Sequence, residues 1–209
     1  MVPSAFPDQL KHVAVGITGA SGAIYAARTV AALLELGCHL DVVVSDYGKR
    51  LLADELGVDA KVDRLQAFLV ERYGAKVENG TLTLHSNRDL GASLASGSHR
   101  CASMVIVPCS MKTLAGVAHG LSQSLIERAA DVMLKEKRRL VLVPRETPMS
   151  LPDLRNMVAC AEAGAMVLPA MPAFYQKPAT IDDLAAFVAG KILNALGFDQ
   201  HLFPPWKGE

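Results

Sequence analysis

The chain has 209 residues, of which 51% are hydrophobic and 20% charged, a composition that favours a folded protein with a sizeable core over a disordered one. Its 21 basic residues equal its 21 acidic residues, so the formal net charge is zero. A neutral chain lacks the summed basic field that nucleic acids and anionic membranes attract, and we expect neither as a partner. The length fits one domain, with a short N-terminal extension over residues 1–10.

Apolar runs rich in Val and Ile alternate with segments of helical period, which predicts an α/β fold with a parallel sheet covered by helices on both faces. In chain order, strands are predicted near residues 12–18, 39–45, 103–108, 140–144 and 166–169. Helices are predicted near residues 22–36, 47–56, 122–138, 151–163 and 181–196.

The stretch from about residue 59 to 100 departs from this alternation and is interpreted as an inserted excursion. Asn79-Gly80 lies within a partly alternating run over Lys76–Leu84, which is the signal of a type I′ hairpin. The small residues of Gly91–Ser98 are typical of a flexible loop. Because the sequence shows no internal repeat and no low-complexity linker, we expect a single domain.

Targeting and metal-binding signals are absent from the sequence. Residues 1–10 lack the apolar core of a signal peptide, and the longest charge-free stretch, Val13–Ala27, is too short to span a bilayer. The four cysteines form no CxxC pair, and the six histidines are scattered along the chain. We therefore expect a cytoplasmic protein with neither a disulfide framework nor a metal site.

Polar and small residues follow every predicted strand, at the edge of a parallel sheet where ligands bind. They include hydroxyls, cations, carboxylates and a phenol, in the segments Thr18–Gly22, Ser45–Asp46, Pro108–Thr113, Arg145–Thr147 and Pro169–Lys177. Because the carboxyl ends of parallel strands share one edge, these segments are expected to converge on a ligand site.

Two of these segments have the chemistry of an anion site. The glycine-rich turn at Gly16, Gly19 and Gly22 is not the GxGxxG dinucleotide fingerprint, but free N–H groups at a helix start can hold a phosphate. A plain turn with Ser21 as helix N-cap explains the same pattern. Ser110–Thr113 repeats this chemistry at a second helix start, with simple capping again as the alternative. Two anion sites favour a mononucleotide over a dinucleotide.

Charged pairs supply further candidates. Arg128 and Lys135 lie seven residues apart and share one face of a predicted helix, although Arg128 is also spaced to pair with Asp131 on a solvated stripe. Arg145-Glu146 directly follows an apolar strand, where a charge pair is either functional or a structural ion pair.

Five motifs occur in this order: GITGASGAIY at Gly16–Tyr25, PCSMKTL at Pro108–Leu114, LIERAADVMLKE at Leu125–Glu136, LVLVPRETP at Leu140–Pro148 and PAFY at Pro172–Tyr175. Together they resemble the UbiX-like flavin prenyltransferases, over the chain from about residue 11 to Trp206. The resemblance implies a Rossmann-like, flavodoxin-type three-layer fold. It also implies a homo-oligomer, usually a dodecamer, with sites between subunits.

The activity that the resemblance implies is the metal-independent transfer of a dimethylallyl group from dimethylallyl monophosphate to N5 and C6 of reduced FMN. The product, prenylated FMN, serves a partner UbiD-like decarboxylase. The resemblance implies cofactor-binding roles for Gly19, Ala20, Ser21, Ser45, Ser110, Met111, Lys112, Thr113 and Arg145. It implies contacts to the dimethylallyl phosphate for Tyr175 and Lys191, and active-site roles for Ser21, Glu55, Glu146, Arg128, Lys135 and Trp206.

The chemistry of that reaction fits these side chains. Cations and Tyr175 can stabilise the departing phosphate, Glu146 with Ser21 can handle a proton, and Trp206 is either a π surface for the allyl fragment or a packing anchor. Lys191 stands where some relatives have arginine; lysine keeps the charge but lacks the guanidinium group that can bind a phosphate through two hydrogen bonds. The alternatives are an FMN-dependent cysteine decarboxylase of the same superfamily, whose PxMNxxMW-like segment is missing here, and a non-catalytic FMN carrier.

Overall fold

The computed structural model describes residues 11–57 and 60–204. Its strands are β1 His12–Ile17, β2 His39–Val44, β3 Thr81–Ser86, β4 Ser103–Cys109, β5 Arg139–Pro144 and β6 Met166–Val167. Its α-helices are α1 Ala23–Glu35, α2 Asp46–Leu56, α3 Leu65–Tyr73, α4 Met111–Ala118, α5 Leu125–Lys135, α6 Leu151–Glu162 and α7 Ile181–Leu196. Short 3₁₀ turns cover Val62–Arg64, Ala75–Asn79 and Ser93–Ala95.

The six strands form one parallel sheet in the order β3-β2-β1-β4-β5-β6. This is the Rossmann order, and it confirms the predicted three-layer α/β class. The chain winds outward from β1 to β3 and then returns to β4 on the other side of β1. The carboxyl ends of β1 and β4 therefore flank the switch point, where open α/β sheets bind their ligands.

Hydrophobic layers cover both faces of the sheet. One cluster joins Val15 and Ile17 of β1 to α1, α3 and α7, and the other joins Ile106 of β4 to α4 and α5. All seven residues of β4 are buried, which explains why its sequence after Ser103 is continuously apolar rather than alternating. Within the described residues, no helix combines the length and the apolar run that crossing a bilayer requires.

The predicted hairpin at Asn79-Gly80 is wrong. Asn79 ends a 3₁₀ turn, and the residues after Gly80 form β3, which pairs parallel to β2 with Thr81 opposite His39. Gly80 is needed for close packing, because a Cβ there would lie 2.5 Å from the Cys38 carbonyl oxygen. The alternating pattern arises because β3 is an edge strand that is only partly covered.

The small-residue segment after β3 is anchored against α5. Leu94 is buried, and the Ala95 carbonyl accepts a hydrogen bond from Arg128 Nε at 3.2 Å. The Arg138 guanidinium donates to the Gly97 and His99 carbonyls, both at 2.6 Å. These contacts fix the path of the chain into β4, where a flexible loop was expected.

Candidate active site

A cavity of about 520 Å³ lies at the carboxyl edge of the sheet, over the switch point. Small-molecule and cofactor sites occupy about 300–1,000 Å³, so a mononucleotide-sized ligand fits this volume. The wall is formed by Gly19, Ser45, Asp46, Tyr47, Asn87, Ser110, Lys112, Thr113, Ser124 and Ile126. The predicted convergence of the segments after β1, β2 and β4 is therefore present.

Three helices begin at the wall of this cavity. Ser45, Ser110 and Ser124 are the N-caps of α2, α4 and α5, and each hydroxyl oxygen accepts the backbone N–H three residues ahead, at 3.0, 3.4 and 3.3 Å. The positive ends of three helix dipoles thus meet at one place, which favours an anion there. The capping interpretation and the ligand-site interpretation of Ser110 are compatible.

A buried threonine fixes the two strand ends that flank the switch point. Thr18 Oγ1 donates to the Pro108 carbonyl at 2.7 Å and accepts from the Ser110 N–H at 2.8 Å. These hydrogen bonds join the end of β1 to the end of β4 and place the Ser110 cap. The sequence motif contained Thr18, but nothing in it indicated this contact across 90 residues of chain.

We expect Thr18→Val to lower the free energy of unfolding by about 1–3 kcal/mol, because the Ser110 N–H loses its partner and the Pro108 carbonyl keeps only the Thr18 backbone N–H. Urea unfolding measures the change. The matched control is Thr29→Val, since the buried Thr29 hydroxyl makes no hydrogen bond within the described part of the chain. That control should shift stability by less than about 0.5 kcal/mol. Equal losses in both variants would contradict the role given to Thr18.

Glu55 caps the helix that follows the glycine-rich turn. Its Oε2 accepts the N–H groups of Gly22 and Ala23, at 2.9 and 2.7 Å. Gly22, with φ at 116°, is the N-cap of α1, so the alternative of Ser21 as N-cap is wrong. These two N–H groups at the start of α1, where the sequence predicted a phosphate site, therefore donate to the Glu55 carboxylate. An anion is therefore expected at the starts of α2, α4 and α5.

Arg145 connects β5 to the turn after β1. Its Nε donates to the Ser21 carbonyl at 2.9 Å, so the structure brings these two predicted site residues together. Burial raises the pKa of the nearby Tyr25 phenol, and the charge of Arg145 partly offsets that shift. Glu146 is half-buried beside Arg145, and its Oε1 accepts the Thr147 N–H at 3.1 Å.

Two carboxylates at the cavity are neutralised by cations from other segments. Glu127 is only 2% exposed; its Oε1 lies 2.5 Å from Lys112 Nζ, so the charge of Lys112 is used within the protein. Asp46 lies 2.7 Å from Arg88, and the hydrogen bond and charge of Arg88 lower the pKa of this carboxyl. An anionic ligand consequently meets little net repulsion here.

Tyr175 and Lys191 form a separate group, beside α7. The Tyr175 ring meets the Phe187 ring edge-on at 5.9 Å, and Lys191 Nζ lies 5.6 Å from the centroid of the same Phe187 ring and 5.8 Å from that of Phe203. The two residues that the resemblance pairs on the allylic phosphate thus share one aromatic neighbour. They lie outside the wall of the cavity.

The predicted basic pair on α5 does not reach the cavity within one chain. Arg128 Nη1 pairs with Asp131 at 2.8 Å, as its i,i+3 spacing allows. Lys135 is exposed in the last turn of α5, about 15 Å from the helix start at the cavity. Trp206 lies outside the described residues.

A family model described as Flavoprotein matches residues 3–193 of the chain. The flavin prenyltransferase UbiX of Alkalihalophilus pseudofirmus is 47% identical over 196 residues, which are 94% of this chain and 96% of the relative. The chain belongs to the UbiX flavin prenyltransferase family. The resemblance read from the five motifs is confirmed.

Solved structures of the UbiX family superpose on nearly the whole chain. AnUbiX (PadA1), described in complex with FMN and dimethylallyl pyrophosphate, has a TM-score of 0.84 and 38% identity, over 94% of this chain and 97% of that one. A protein from Escherichia coli O157:H7, described as a dodecameric FMN-dependent UbiX-like decarboxylase, has a TM-score of 0.83 and 37% identity, over 94% and 99%.

In this UbiX family member, the cavity wall contains some of the predicted cofactor residues and several residues that were not predicted. Of the predicted cofactor residues, the cavity wall includes Gly19, Ser45, Ser110, Lys112 and Thr113; Ala20 is buried and Met111 begins α4. Asn87 was missed; its Oδ1 accepts the Ile126 N–H at 3.2 Å at the start of α5. Ser124 was missed too, although Ser124-x-x-Glu127 is a recognisable helix-start pattern.

Proposed function

We propose that this chain is a flavin prenyltransferase that joins a dimethylallyl group to N5 and C6 of reduced FMN. The observation that carries the proposal is the convergence of three helix N-termini on a cavity of about 520 Å³. Membership of the UbiX family gives that cavity its ligand class, since a family member is described with FMN and dimethylallyl pyrophosphate bound.

The residues present fit FMN. Hydroxyls of Ser45, Thr113 and Ser124 and the positive helix ends suit its phosphate, while Tyr47 and Ile126 add apolar surface to the wall. Arg145, held by the Ser21 carbonyl, is proposed to bind FMN from the β5 side. When bound, reduced FMN supplies the nucleophilic N5 and C6 positions.

The allylic substrate is proposed to be dimethylallyl monophosphate, with its phosphate held by Tyr175 and Lys191. Negative charge grows on the phosphate as the allylic C–O bond breaks, and a fixed ammonium and phenol stabilise that charge more strongly as it grows. Arg128 and Lys135 are proposed to join them from a neighbouring subunit. With cationic side chains on the phosphate, we propose that the transfer needs no metal.

Ring closure at C6 releases a proton, and we propose that Glu146 receives it with help from Ser21. Glu146 directly follows Arg145, which contacts Ser21, so the two proposed proton carriers lie on adjoining segments. The Thr147 N–H holds one carboxylate oxygen in place. Glu55 is assigned a positioning role, because its contacts hold the turn that carries Ser21. The role of Trp206, as a π surface, rests on the resemblance alone.

A homo-oligomer, proposed to be a dodecamer, fits the exposed surface of α6. Leu151, Leu154 and Val158 lie on one face of this helix and are 58%, 47% and 57% exposed. A neighbouring copy would cover such an apolar face, and a relative of this fold is described as dodecameric. Assembly would also bring Arg128 and Lys135 toward another subunit's site.

We expect Leu154→Glu to dissociate the oligomer and to reduce prenyl transfer at least tenfold, because a charge replaces an apolar contact and the sites lose residues from the neighbour. Mass photometry gives the subunit number. The control is Leu90→Glu, the same change at an exposed leucine in the loop after β3. Full activity in a Leu154→Glu monomer would contradict sites shared between subunits.

The experiment that tests the function follows phosphate release. Purified protein is mixed anaerobically with reduced FMN and dimethylallyl monophosphate, and inorganic phosphate is measured. We expect one phosphate for each flavin, and none with oxidised FMN. Dimethylallyl pyrophosphate forms a second arm, which tests the monophosphate specificity. Absence of release with reduced FMN would overturn the proposal.

The second candidate is an FMN-dependent decarboxylase, because one related structure carries that description. Incubation of the FMN complex with an aromatic acid, without allylic phosphate, separates the two. CO₂ release would favour the decarboxylase, whereas we expect none. We propose instead that the product passes to a UbiD-like decarboxylase.

The four cysteines are unpaired thiols, which supports the proposed cytoplasmic location.

A further inference from the structure

Three of the six histidines, which look scattered in the sequence, contact one carboxylate, and a fourth packs against one of the three. His12 and His39 begin β1 and β2, His85 lies in β3, and His99 precedes β4. The carboxylate is that of Asp41 in β2, which is 3% exposed. The histidines lie up to 58 residues from Asp41 in the sequence, so no short spacing pattern could have indicated the cluster.

The contacts to Asp41 are short and come from both sides of the carboxylate. His12 Nε2 and His99 Nε2 lie 2.6 and 2.9 Å from Oδ2, and His85 Nε2 lies 2.7 Å from Oδ1. The ligand atoms of His12, Asp41 and His99 all lie within 4.8 Å of one another. Two imidazole nitrogens and a carboxylate oxygen therefore lie close enough together to bind one ion.

Neighbouring groups hold these side chains in place. The His39 ring packs edge-on against the His12 ring, with centroids 4.6 Å apart, and its Nδ1 is hydrogen-bonded to Thr81 Oγ1 at 2.5 Å. Arg138 fixes the backbone of His99 through the His99 carbonyl. Support of this kind orients metal ligands before the ion arrives.

We propose that His12, Asp41 and His99 form a binding site for a divalent transition-metal ion of the zinc class. Imidazole and carboxylate together suit Zn²⁺, Co²⁺ or Ni²⁺, whereas Mg²⁺ and Ca²⁺ prefer sites made of oxygen alone. On binding, each imidazole keeps one proton, which moves from Nε2 to Nδ1, and the Nε2 lone pair goes to the ion. His85 is not a ligand of the ion. It orients the Asp41 carboxylate by its hydrogen bond to Oδ1.

The site lies away from the proposed FMN cavity. His12 and His39 are the first residues of their strands, while the cavity lies beyond the last residues, and a strand of this length spans about 20 Å. An ion here would connect β1, β2 and the segment before β4. Its effect is therefore expected on the stability of the sheet and not on prenyl transfer.

Calorimetric titration of tag-free, chelator-treated protein with Zn²⁺ tests the proposal. We expect one Zn²⁺ per chain and a rise in Tm, because a ligand that binds only the folded state stabilises it. Co²⁺ gives a second readout, through visible absorption bands typical of nitrogen and oxygen ligation. A wild-type protein that takes up less than one equivalent overturns the site.

Matched histidine variants locate the ion. We expect His12→Asn and His99→Asn each to lower Zn²⁺ affinity by about 100-fold or more, and His85→Asn by about tenfold. His119→Asn, which alters a histidine paired with Asn156 elsewhere, should bind as wild type. Circular dichroism and FMN titration verify folding. Unchanged affinity in both His12→Asn and His99→Asn would overturn the assignment, whatever the outcome for prenyl transfer.

Discussion

Glu146→Gln is expected to bind FMN with near-wild-type affinity while its rate of prenyl transfer falls by about 10²–10⁴-fold. The carboxamide has nearly the same shape as the carboxylate and can still accept the Thr147 N–H through its oxygen. It cannot take up the proton that ring closure releases. Fluorescence titration of FMN and single-turnover absorbance measure binding and transfer separately.

Two comparisons make the Glu146 result specific. Glu71→Gln, an exposed glutamate on α3, should keep the wild-type rate. Glu55→Gln should act differently, because Glu55 holds the N–H groups of the turn after β1, so its change should weaken FMN binding as well. Turnover within a factor of two of wild type in Glu146→Gln would remove Glu146 from the mechanism.

Lys191→Gln is expected to lower kcat/KM for dimethylallyl monophosphate by about 10²–10³-fold, with FMN affinity unchanged. The ammonium lies over the Phe187 and Phe203 rings, and the Tyr175 ring packs against the same Phe187 ring. Removing that charge removes stabilisation that grows as the phosphate departs. Steady-state kinetics with saturating reduced FMN measures the loss.

Lys191→Arg is the matched control, because it keeps the charge and adds the bidentate fork. We expect it to retain activity within about tenfold of wild type, since the charge is the property the reaction requires. Lys76→Gln, in the 3₁₀ turn before β3, removes a cation far from the site and should leave the kinetics unchanged. Equal loss in the Arg and Gln variants would show that shape, and not charge, matters at Lys191.

The central strands and the helices around them could be predicted because strands that are buried on both faces have continuous runs of apolar residues. β4 is an example, since all of its residues are buried, and α7 was predicted with its observed bounds, Ile181–Leu196. β3 was misinterpreted because an edge strand alternates in the same way as a hairpin strand does. Gly80 added to the error, since close packing against Cys38 and a tight turn both require glycine.

The candidate site could be predicted where one segment carries its own signal. Ser45 and Ser110 follow apolar strands and begin helices, so their place at the cavity follows from topology. Contacts between segments that are distant in the chain have no such sequence pattern. Thr18 meets Pro108 across 90 residues, and Glu55 caps α1 across 33 residues, and neither pairing has a sequence pattern.

Charge distribution explains how a neutral chain could bind an anion at the candidate site. The carboxylates near the cavity are paired internally, Glu127 with Lys112 and Asp46 with Arg88. The positive ends of α2, α4 and α5 add partial charges that a count of side chains does not include. Anion binding therefore depends on local geometry, and the formal net charge of zero gave no indication of it.

Mass analysis of the flavin tests directly whether the protein prenylates FMN. Purified protein is incubated anaerobically with reduced FMN and dimethylallyl monophosphate, and the flavin is extracted and weighed. We expect FMN heavier by one C₅H₈ unit, formed at a rate that Glu146→Gln and Lys191→Gln both reduce. Recovery of unmodified FMN alone, from protein that binds FMN and is fully assembled, would contradict the proposed function.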